Sequence, residues 1–342
     1  MKITIIGAGY VGLVSGACFA ELGFDVTCVD KDENKIQSLK KSILPFFEPN
    51  LSELLNKNVR EGRLHFTSLL KNTVEASKVI MIAVGTPCDL ETGRASLKDI
   101  HSVLDSLAPY LRDNKLLVLK STVPIGTLKR VEQYIYMLNK QAKFELASNP
   151  EFLREGNAIL DFMKPDRIIV GTESLKAKSI LKDLYQNFLS EGISYIETTP
   201  ETAELIKYAS NAFLGLKVSY INQMADLCEK SNGNVRELAQ ALGLDHRIGR
   251  EFLNPGPGFG GSCFPKDLLE LSLYAREVES PLTLVDEVLK FNSLRHQQML
   301  KIIQTAFEDN LEGKTIAILG LTFKTNTDDL ILELELALLH FH

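Results

Sequence analysis

A glycine-rich turn at residues 7–12, Gly-Ala-Gly-Tyr-Val-Gly, is the feature that most constrains the fold of this 342-residue chain. It follows the apolar strand pattern Ile3–Ile6 and precedes an apolar helix pattern that runs to about Leu22. A second strand pattern, Asp25–Val29, ends at Asp30. In such a strand–turn–helix–strand unit, the glycines permit a tight turn, close approach of a pyrophosphate and close packing of helix on strand.

The acid that ends the second strand indicates which dinucleotide the turn binds. Asp30 lies 18 residues after Gly12, where a carboxylate binds the adenosine ribose hydroxyls and disfavours the 2'-phosphate of NADP. N–H groups at the start of the first helix point at the phosphates. We therefore predict a Rossmann-type NAD domain; the alternative is a glycine-rich turn in an unrelated α/β protein. The turn residues predicted to contact NAD are Gly7, Gly9, Tyr10, Val11 and Gly12.

Further apolar strands alternate with helix patterns after this unit. Strands are predicted at Lys78–Val84, Leu116–Lys120 and Phe144–Ala147, and they indicate a doubly wound α/β fold with parallel strands buried on both faces. Because ligands bind at the carboxyl ends of strands in open α/β sheets, Thr86 and Thr122 are candidate cofactor contacts. The alternative for each threonine is a helix cap, a position that Ser and Thr favour.

The second half of the chain is predicted to be mainly helical. A strand at Asp166–Gly171, a helix over 174–189 and a strand near Ser194–Glu197 lead to one long helix from Pro200 to about Glu229. Shorter helices are predicted at 234–243 and 264–278, and a second long helix at about 282–307. The apolar face predicted for the first long helix consists of Leu205, Ala209, Ala212, Leu216 and Ile221.

Two pairs of polar residues are spaced four residues apart, as residues on one face of a helix are. Lys207 and Asn211 lie together on one face of the long helix. Glu151 and Glu155 would also share a face if their segment were helical. In either case, the alternative is a pair of solvated side chains.

Cys263 has neighbours that favour a reactive thiolate rather than an inert core thiol. Glycines within 258–261 let the backbone approach a ligand closely. Lys266 and Asp267 place charge near the thiol, and positive charge favours the thiolate. A nucleophilic cysteine together with NAD indicates oxidation of a carbonyl through a thioester.

Composition argues against several classes of protein. The formal net charge is -6 and basic residues form no block, so nucleic acid is not expected as a partner. No apolar run is clean enough to span a bilayer, and glycines interrupt the apolar run at 3–20 that could pass for a signal peptide. Five scattered cysteines without a CxxC pair argue against a disulfide framework or a metal site. We therefore expect a cytoplasmic protein.

Eight segments in order resemble the UDP-glucose/GDP-mannose dehydrogenase family, from Met1 to about Leu330. They are GAGYVG at 7–12, VGTP at 84–87, STVPIGT at 121–127, SNPEFLREG at 148–156, AELIKYASNAF at 203–213, RIG at 247–249, GPGFGGSCFPKD at 256–267 and FKTNTDD at 323–329. The resemblance implies oxidation of the primary alcohol of a nucleotide sugar to a carboxylate with two NAD+ in turn, as in UDP-glucuronate and polysaccharide biosynthesis.

The resemblance also implies roles for individual residues. Cys263 would be the nucleophile, Lys207 and Asp267 would handle protons and the oxyanion, and Asn211 would assist the oxyanion. Glu151 and Thr122 would order the water that hydrolyses the thioester. Implied NAD contacts are Asp30, Lys35, Thr122, Glu155 and Lys266. Implied sugar contacts are Glu151, Phe152, Leu153, Arg154, Glu155, Lys207, Asn211, Phe252, Leu253, Asn254, Pro255, Gly256, Gly260 and Lys324, with Arg247 reaching the sugar from the neighbouring subunit of a homodimer.

Alternatives remain open within this resemblance. Residues 244–249 and Phe264 favour UDP-glucose over GDP-mannose or a UDP-N-acetylhexosamine, and a non-catalytic NAD-binding remnant is a further alternative. The expected domains are an NAD domain at 1–199, a central helical dimerisation domain with the cysteine at 200–307, and the start of a third α/β domain at 308–342. Ile331 stands where the family has an arginine, so the third domain is expected to be truncated after its first strand, Lys314–Leu319.

Overall fold

A computed structural model describes residues 1–89, 91–112, 115–317, 319–320, 322 and 324–329. The described residues form two compact units. The first unit comprises 1–89 and 95–207, and the second is built from described residues within 90–94 and 208–342.

One eight-stranded sheet forms the centre of the first unit, with the strand order β3-β2-β1-β4-β5-β6-β7-β8. The strands from β3 to β6 pair in parallel, β7 is antiparallel to β6, and β8 is parallel to β7. The first six strands have the order of a dinucleotide-binding sheet, which confirms the Rossmann-type prediction. The strands are β1 (Lys2–Ile6), β2 (Asp25–Val29), β3 (Leu64–Thr67), β4 (Val79–Ile82), β5 (Lys115–Leu119), β6 (Phe144–Ser148), β7 (Arg167–Gly171) and β8 (Ser194–Thr198).

Helices cover both faces of this sheet and enclose two apolar cores. Alternate residues of β4 enter the two cores, because side chains of a strand point to opposite faces: Val79 and Met81 on one side, Ile80 and Ile82 on the other. The helices of the first unit are α1 (Tyr10–Glu21), α2 (Glu33–Lys40), α3 (Leu51–Arg60), α4 (Leu70–Ala76), α5 (Lys98–Leu107), α6 (Thr127–Leu138), α7 (Ala158–Met163), α8 (Leu175–Leu184) and α9 (Gln186–Ser190).

The second unit is helical in its described part. Helix α10 (Pro200–Ser231) begins in the first unit and is followed by α11 (Val235–Leu244), α12 (Phe264–Glu277) and α13 (Thr283–Ala306). These bounds lie within a few residues of those predicted. No described helix is both long enough and apolar enough to cross a bilayer.

The strand predicted at Lys314–Leu319 is wrong for the residues that the structure describes there. Residues 314–317 and 319–320 adopt no strand conformation, and Leu319 is 95% exposed. A strand needs a neighbouring strand to satisfy its N–H and C=O groups, and the apolar pattern alone does not supply one. Residues 331–339 lie outside the described part of the chain.

The buried side of α10 also differs from the prediction. Ala212 and Ile221 are buried as predicted, whereas Leu205 and Ala209 are exposed. The buried side of the helix also carries polar residues, which can be buried because they have hydrogen-bond partners. These residues are Glu204, Lys207, Asn211 and Asn222.

Glu204 anchors α10 to the start of α6. Its carboxylate accepts hydrogen bonds from the backbone N–H groups of Gly126 at 2.5 Å and Leu128 at 2.8 Å. Burial raises the pKa of Glu204 to about 7, although these N–H groups oppose the shift. The folded chain therefore binds a proton at Glu204 that the unfolded chain releases between about pH 4.5 and 7, and its stability falls as the pH rises through this window.

We predict that Glu204→Gln removes this pH dependence. From pH 4.5 to 7 the free energy of unfolding of the wild type should fall relative to that of the variant by on the order of 3 kcal/mol. Urea unfolding at several pH values measures this difference. Glu229→Gln is the matched control, because Glu229 is exposed on the same helix. A difference between wild type and Glu204→Gln that does not change with pH would contradict the prediction.

Candidate active site

The glycine turn after β1 has two packed glycines and one open glycine. Gly7 has a φ of 103°, which favours glycine, and a Cβ at Gly12 would lie 1.8 Å from the Gly7 carbonyl oxygen. A Cβ at Gly9 would have no atom within 4 Å. Gly7 and Gly12 therefore serve the packing of the turn, whereas Gly9 leaves space for a ligand to approach the backbone.

Asp30 is held at the end of β2 as an ionised carboxylate. It accepts hydrogen bonds from the backbone N–H groups of Ala8 at 2.9 Å and Asp32 at 3.0 Å, and from Lys35 Nζ at 2.9 Å. Burial alone would raise the pKa of Asp30, but these hydrogen bonds outweigh burial and hold the pKa below its usual value. A fixed carboxylate at this strand end suits the hydroxyls of a ribose.

A cavity of about 320 Å³ opens where the strand order reverses between β1 and β4. Open α/β sheets bind their ligands at this point. The walls come from the carboxyl ends of three strands and include Gly7, Gly9, Asp30, Lys35, Ala83 and Gly85. The cavity, the open side of Gly9 and the ionised Asp30 all fit an NAD molecule.

The two candidate threonines contact each other at the ends of β4 and β5. Thr86 Oγ1 donates a hydrogen bond to the Thr122 carbonyl oxygen at 2.7 Å. The cap alternative is wrong for both, because Leu97 and Gly126 occupy the N-cap positions of α5 and α6. The structure thus joins the polar turns that follow two neighbouring strands.

Glu151 lies in a buried ion pair rather than on a helix. Residues 149–156 form no helix, so the condition under which Glu151 and Glu155 would share a helix face is not met. The Glu151 carboxylate accepts hydrogen bonds from Lys207 Nζ at 3.1 Å and from the Leu153 backbone N–H at 2.5 Å. Two partners hold this carboxylate in one position.

Three buried residues to which the sequence analysis assigned no role hold the loop that carries Glu151. Glu48 accepts hydrogen bonds from the N–H groups of Gly156 at 2.7 Å and Ala158 at 2.8 Å, and from the Tyr10 hydroxyl. Lys120 and Asn149 hold the start of the same loop. The sequence signal for Glu48 is weak, because a single acid in a loop resembles any solvated acid.

Cys263 is exposed and immediately precedes α12 in the second unit. Its carbonyl oxygen accepts a hydrogen bond from the Asp267 N–H at 3.0 Å. The positive end of the helix dipole lies at this position and favours a thiolate. The structure therefore supports a reactive thiol and contradicts the alternative of a buried, inert one.

Asp267 is buried and receives two side-chain hydrogen bonds. Asn211 Nδ2 donates to it at 2.7 Å and Lys266 Nζ at 2.5 Å. Lys266 was predicted to favour the thiolate of Cys263 through its positive charge. This prediction is corrected in part, because the Lys266 ammonium forms an ion pair with Asp267. Asn211 and Asp267 form one polar pair in the second unit.

Side chains of α10 and α13 hold the glycine-rich loop before Cys263. Asn222 Oδ1 accepts from the Gly256 N–H at 2.7 Å, and Arg295 Nε donates to the Gly256 carbonyl at 3.3 Å. Asn292 accepts from the Phe259 N–H and donates to the Phe259 carbonyl, both at 2.8 Å. No motif or spacing in the sequence identifies these three side chains.

The remaining residues assigned to the sugar have varied surroundings. Arg247 is exposed and pairs with Asp245, and Arg154 is exposed and pairs with Asp161 at 2.6 Å. Lys324 lies in the irregular segment after α13. The stretch 252–256 forms no helix or strand, and within it Leu253 is buried and Asn254 exposed.

We predict that Gly9→Ala weakens NAD binding, whereas Gly12→Ala lowers the stability of the fold. Gly9 has a φ of -89°, which alanine adopts, so Gly9→Ala should retain the wild-type melting temperature but weaken NAD binding about ten-fold or more. Gly12→Ala should destabilise the fold by about 2 kcal/mol or more, because its Cβ would overlap the Gly7 carbonyl. Calorimetric titration and thermal unfolding separate these effects. Unchanged NAD affinity in Gly9→Ala would disprove the assignment of the turn at residues 7–12 as the cradle that holds NAD.

Family models match parts of both units. Residues 1–189 match the NAD binding domain of the UDP-glucose/GDP-mannose dehydrogenase family, and residues 201–294 match its central domain. A UDP-glucose 6-dehydrogenase of Rhizobium meliloti is 49% identical over 332 residues, 96% of this chain and 76% of that protein. One of Rickettsia typhi is 46% identical over 329 residues, 96% of this chain and 75% of that protein.

Solved structures agree with the family models. The structure of a UDP-glucose dehydrogenase from the archaeon Pyrobaculum islandicum matches with a TM-score of 0.91 and 36% identity, over 96% of this chain and 76% of that one. These matches confirm the predicted resemblance and the NAD cofactor. The chain belongs to the UDP-glucose/GDP-mannose dehydrogenase family, whose members are NAD-dependent oxidoreductases of nucleotide sugars.

Proposed function

We propose that this chain oxidises UDP-glucose to UDP-glucuronate with two molecules of NAD+ in succession. The observation that carries the proposal is the exposed thiol of Cys263 at the start of α12, in a chain with an NAD cradle after β1. A thiol suits this chemistry because the intermediate aldehyde must be held covalently until a second hydride leaves. The relatives named UDP-glucose 6-dehydrogenase support UDP-glucose as the sugar.

In the first oxidation the primary alcohol loses a proton and a hydride and becomes an aldehyde. NAD+, when bound, supplies the hydride acceptor for this oxidation and for the next. We assign the proton and the developing oxyanion to Lys207 and Asp267, with Asn211 as a further donor. A preorganised ammonium and amide are worth most where charge develops on an oxygen away from water.

In the second oxidation the sulfur of Cys263 bonds to the aldehyde carbon. The carbonyl π bond becomes an oxyanion, which Lys207 and Asn211 stabilise in the resulting thiohemiacetal. Loss of a second hydride restores the C=O bond and leaves a thioester on Cys263. The thiol therefore retains the substrate between the two oxidations.

Hydrolysis completes the reaction. We assign the ordering of the attacking water to Glu151 and Thr122. The water oxygen bonds to the carbonyl carbon, the C–S bond breaks, and the carboxylate product and the thiolate of Cys263 separate while the two water protons are released. Glu151 suits this role because Lys207 and the Leu153 N–H already hold its carboxylate in place.

We assign binding of the two ligands as the family resemblance implies. The first domain, 1–199, would bind NAD, and the central domain, 200–307, would supply the thiol. NAD contacts beyond the cradle would be Lys35, Thr86, Thr122, Glu155 and Lys266. Sugar contacts would be Glu151, Phe152, Leu153, Arg154, Glu155, Lys207, Asn211, Phe252, Leu253, Asn254, Pro255, Gly256, Gly260 and Lys324.

We also propose a cytoplasmic homodimer that pairs through α10. Phe213, Tyr220 and Leu227 are spaced seven residues apart on this helix, and their exposed fractions are 62%, 48% and 56%. An apolar stripe of this kind on an exposed helix suits a second copy of the same helix. Arg247 would then reach the sugar of the neighbouring subunit. The five cysteines support the cytoplasmic location. All five lie in described parts of the chain, and none of them forms a disulfide.

We predict that Cys263→Ala abolishes net oxidation but leaves NAD affinity unchanged, because the cradle lies in the first unit. The wild type should form two NADH per UDP-glucose, measured by absorbance, and calorimetry measures NAD binding. Cys88→Ala is the control and should retain activity. The division of roles would be wrong if Cys263→Ala lost NAD binding. One NADH per sugar in the wild type would contradict the thioester route.

We predict that Phe213→Glu converts the dimer to a monomer, because a charge in the stripe would be buried in the interface. Sedimentation velocity over a range of protein concentrations measures the change. Leu175→Glu is the control, since Leu175 is 82% exposed and lies outside the stripe. A wild type that is monomeric at every concentration would contradict the proposed interface.

A further inference from the structure

Lys120 is a buried lysine that the proposed chemistry does not use. It directly follows β5 and is 5% exposed. Its Nζ donates a hydrogen bond to Asn149 Oδ1 at 3.1 Å. Within the described residues the structure gives this ammonium one hydrogen-bond acceptor, although the group has three N–H donors. A buried ammonium is costly unless charge or hydrogen bonds compensate it.

The partner of Lys120 is itself held firmly at the start of the loop that carries Glu151. Asn149 Oδ1 accepts a second hydrogen bond from the Tyr185 hydroxyl at 2.5 Å, and Asn149 Nδ2 donates to the Ile169 carbonyl at 2.8 Å. Because an amide has no net charge, it does not neutralise the ammonium. The hydrogen bond therefore fixes the position of Lys120 but does not compensate its charge.

Glu151 is the carboxylate whose negative charge acts on this ammonium. Burial lowers the pKa of Lys120 to about 8, the negative charge of Glu151 opposes this shift, and the positive charge of Lys207 adds to it. Lys120 and Glu151 also line one small cavity of about 50 Å³. The Glu151 carboxylate thus lies in the field of two ammonium groups.

Asp161 and Arg167 also line this cavity. Asp161 pairs with Arg154 at 2.6 Å, and the Arg167 guanidinium lies 4.3 Å from the centre of the Phe152 ring. Tyr185 contributes a neutral hydroxyl. Lys120 and Lys207 are the two ammonium groups that act beside the Glu151 carboxylate.

A second ammonium beside Glu151 meets a requirement of the proposed reaction. Lys207 is assigned to the substrate oxyanion, and Glu151 is assigned to order water. When Lys207 engages the oxyanion, its hydrogen bond to Glu151 weakens, whereas the charge of Lys120 continues to attract the carboxylate.

We propose that Lys120 is a positioning residue whose ammonium holds the Glu151 carboxylate in place while Lys207 serves the substrate oxyanion. The proposal rests on the proposed function, because it takes the roles of Lys207 and Glu151 from there. It predicts that hydrolysis of the thioester depends on Lys120 more than the first oxidation does.

The first test measures the charge of Lys120 without turnover. The full chain is labelled with ¹³C-lysine, and the signal absent from Lys120→Met is titrated by NMR. We expect this signal to report a pKa of about 8. Glu151→Gln should move the titration to lower pH and Lys207→Met to higher pH. An ordinary lysine titration, or one that neither variant moves, would overturn the proposal.

The second test measures hydrolysis in a single turnover with UDP-glucose and NAD+. Intact-protein mass spectrometry follows the acyl group on Cys263. We expect Lys120→Met to slow hydrolysis about ten-fold or more, so that the acyl form accumulates, while the first NADH forms at nearly the wild-type rate. Above about pH 8 wild-type hydrolysis should fall as Lys120 loses its proton, and Lys120→Arg should move this decline to higher pH.

Lys115→Met is the matched control for the loss of a buried ammonium. Lys115 starts the same strand, is 7% exposed, and donates to the carbonyl oxygens of Glu75 at 2.9 Å and Ser77 at 3.0 Å. Its replacement should lower stability without accumulation of the acyl form. Equal slowing of both steps in Lys120→Met would overturn the proposal.

The outcomes of the two tests separate the proposal from the proposed function. If the wild type forms no NADH from UDP-glucose, the proposed function fails. The NMR titration then still decides whether the charge of Glu151 acts on the Lys120 ammonium. If NADH forms and the titration is ordinary, Lys120 has no such role and the proposed function stands.

Discussion

Burial of the parallel strands on both faces is the constraint on which the first unit depends. Strands β1, β4 and β5 are covered by apolar cores on both sides, so their faces offer no surface to a ligand. Polar groups can act only where these strands end. Asp30 follows β2 directly, Thr86 and Thr122 lie in the turns after β4 and β5, and the loop of Glu151 follows β6. The position of the candidate site thus follows from the way the sheet is covered.

Local patterns explain how much of this could be predicted from the sequence. The glycine spacing at 7–12, the acid at Asp30 and the apolar strand patterns each describe a short stretch of chain, and the structure agrees with them. The thiol at Cys263 was also recognisable, because its glycines, charges and helix start are adjacent in sequence. Family motifs added roles that spacing alone does not give.

Contacts between distant parts of the chain could not be predicted in this way. Glu48 holds Ala158, which is 110 residues away, and no pattern within a loop indicates such a partner. The buried side of α10 was misassigned because periodicity treats a polar residue as exposed, whereas Glu204 and Asn222 are buried with partners. The apolar run at 314–319 failed for a related reason, since apolar character does not supply a strand with a neighbour.

The loop before Cys263 is held by side chains where a strand would be held by another strand. Asn292 pairs with both backbone groups of Phe259, and Asn222 and Arg295 engage those of Gly256. The amide hydrogens of Gly256 and Phe259 are therefore shielded from solvent, although they belong to an irregular segment. Their exchange with deuterium requires the opening of contacts to α10 or α13. Deuterium uptake at these two amides accordingly reports on the docking of two helices, and not on the flexibility of the loop.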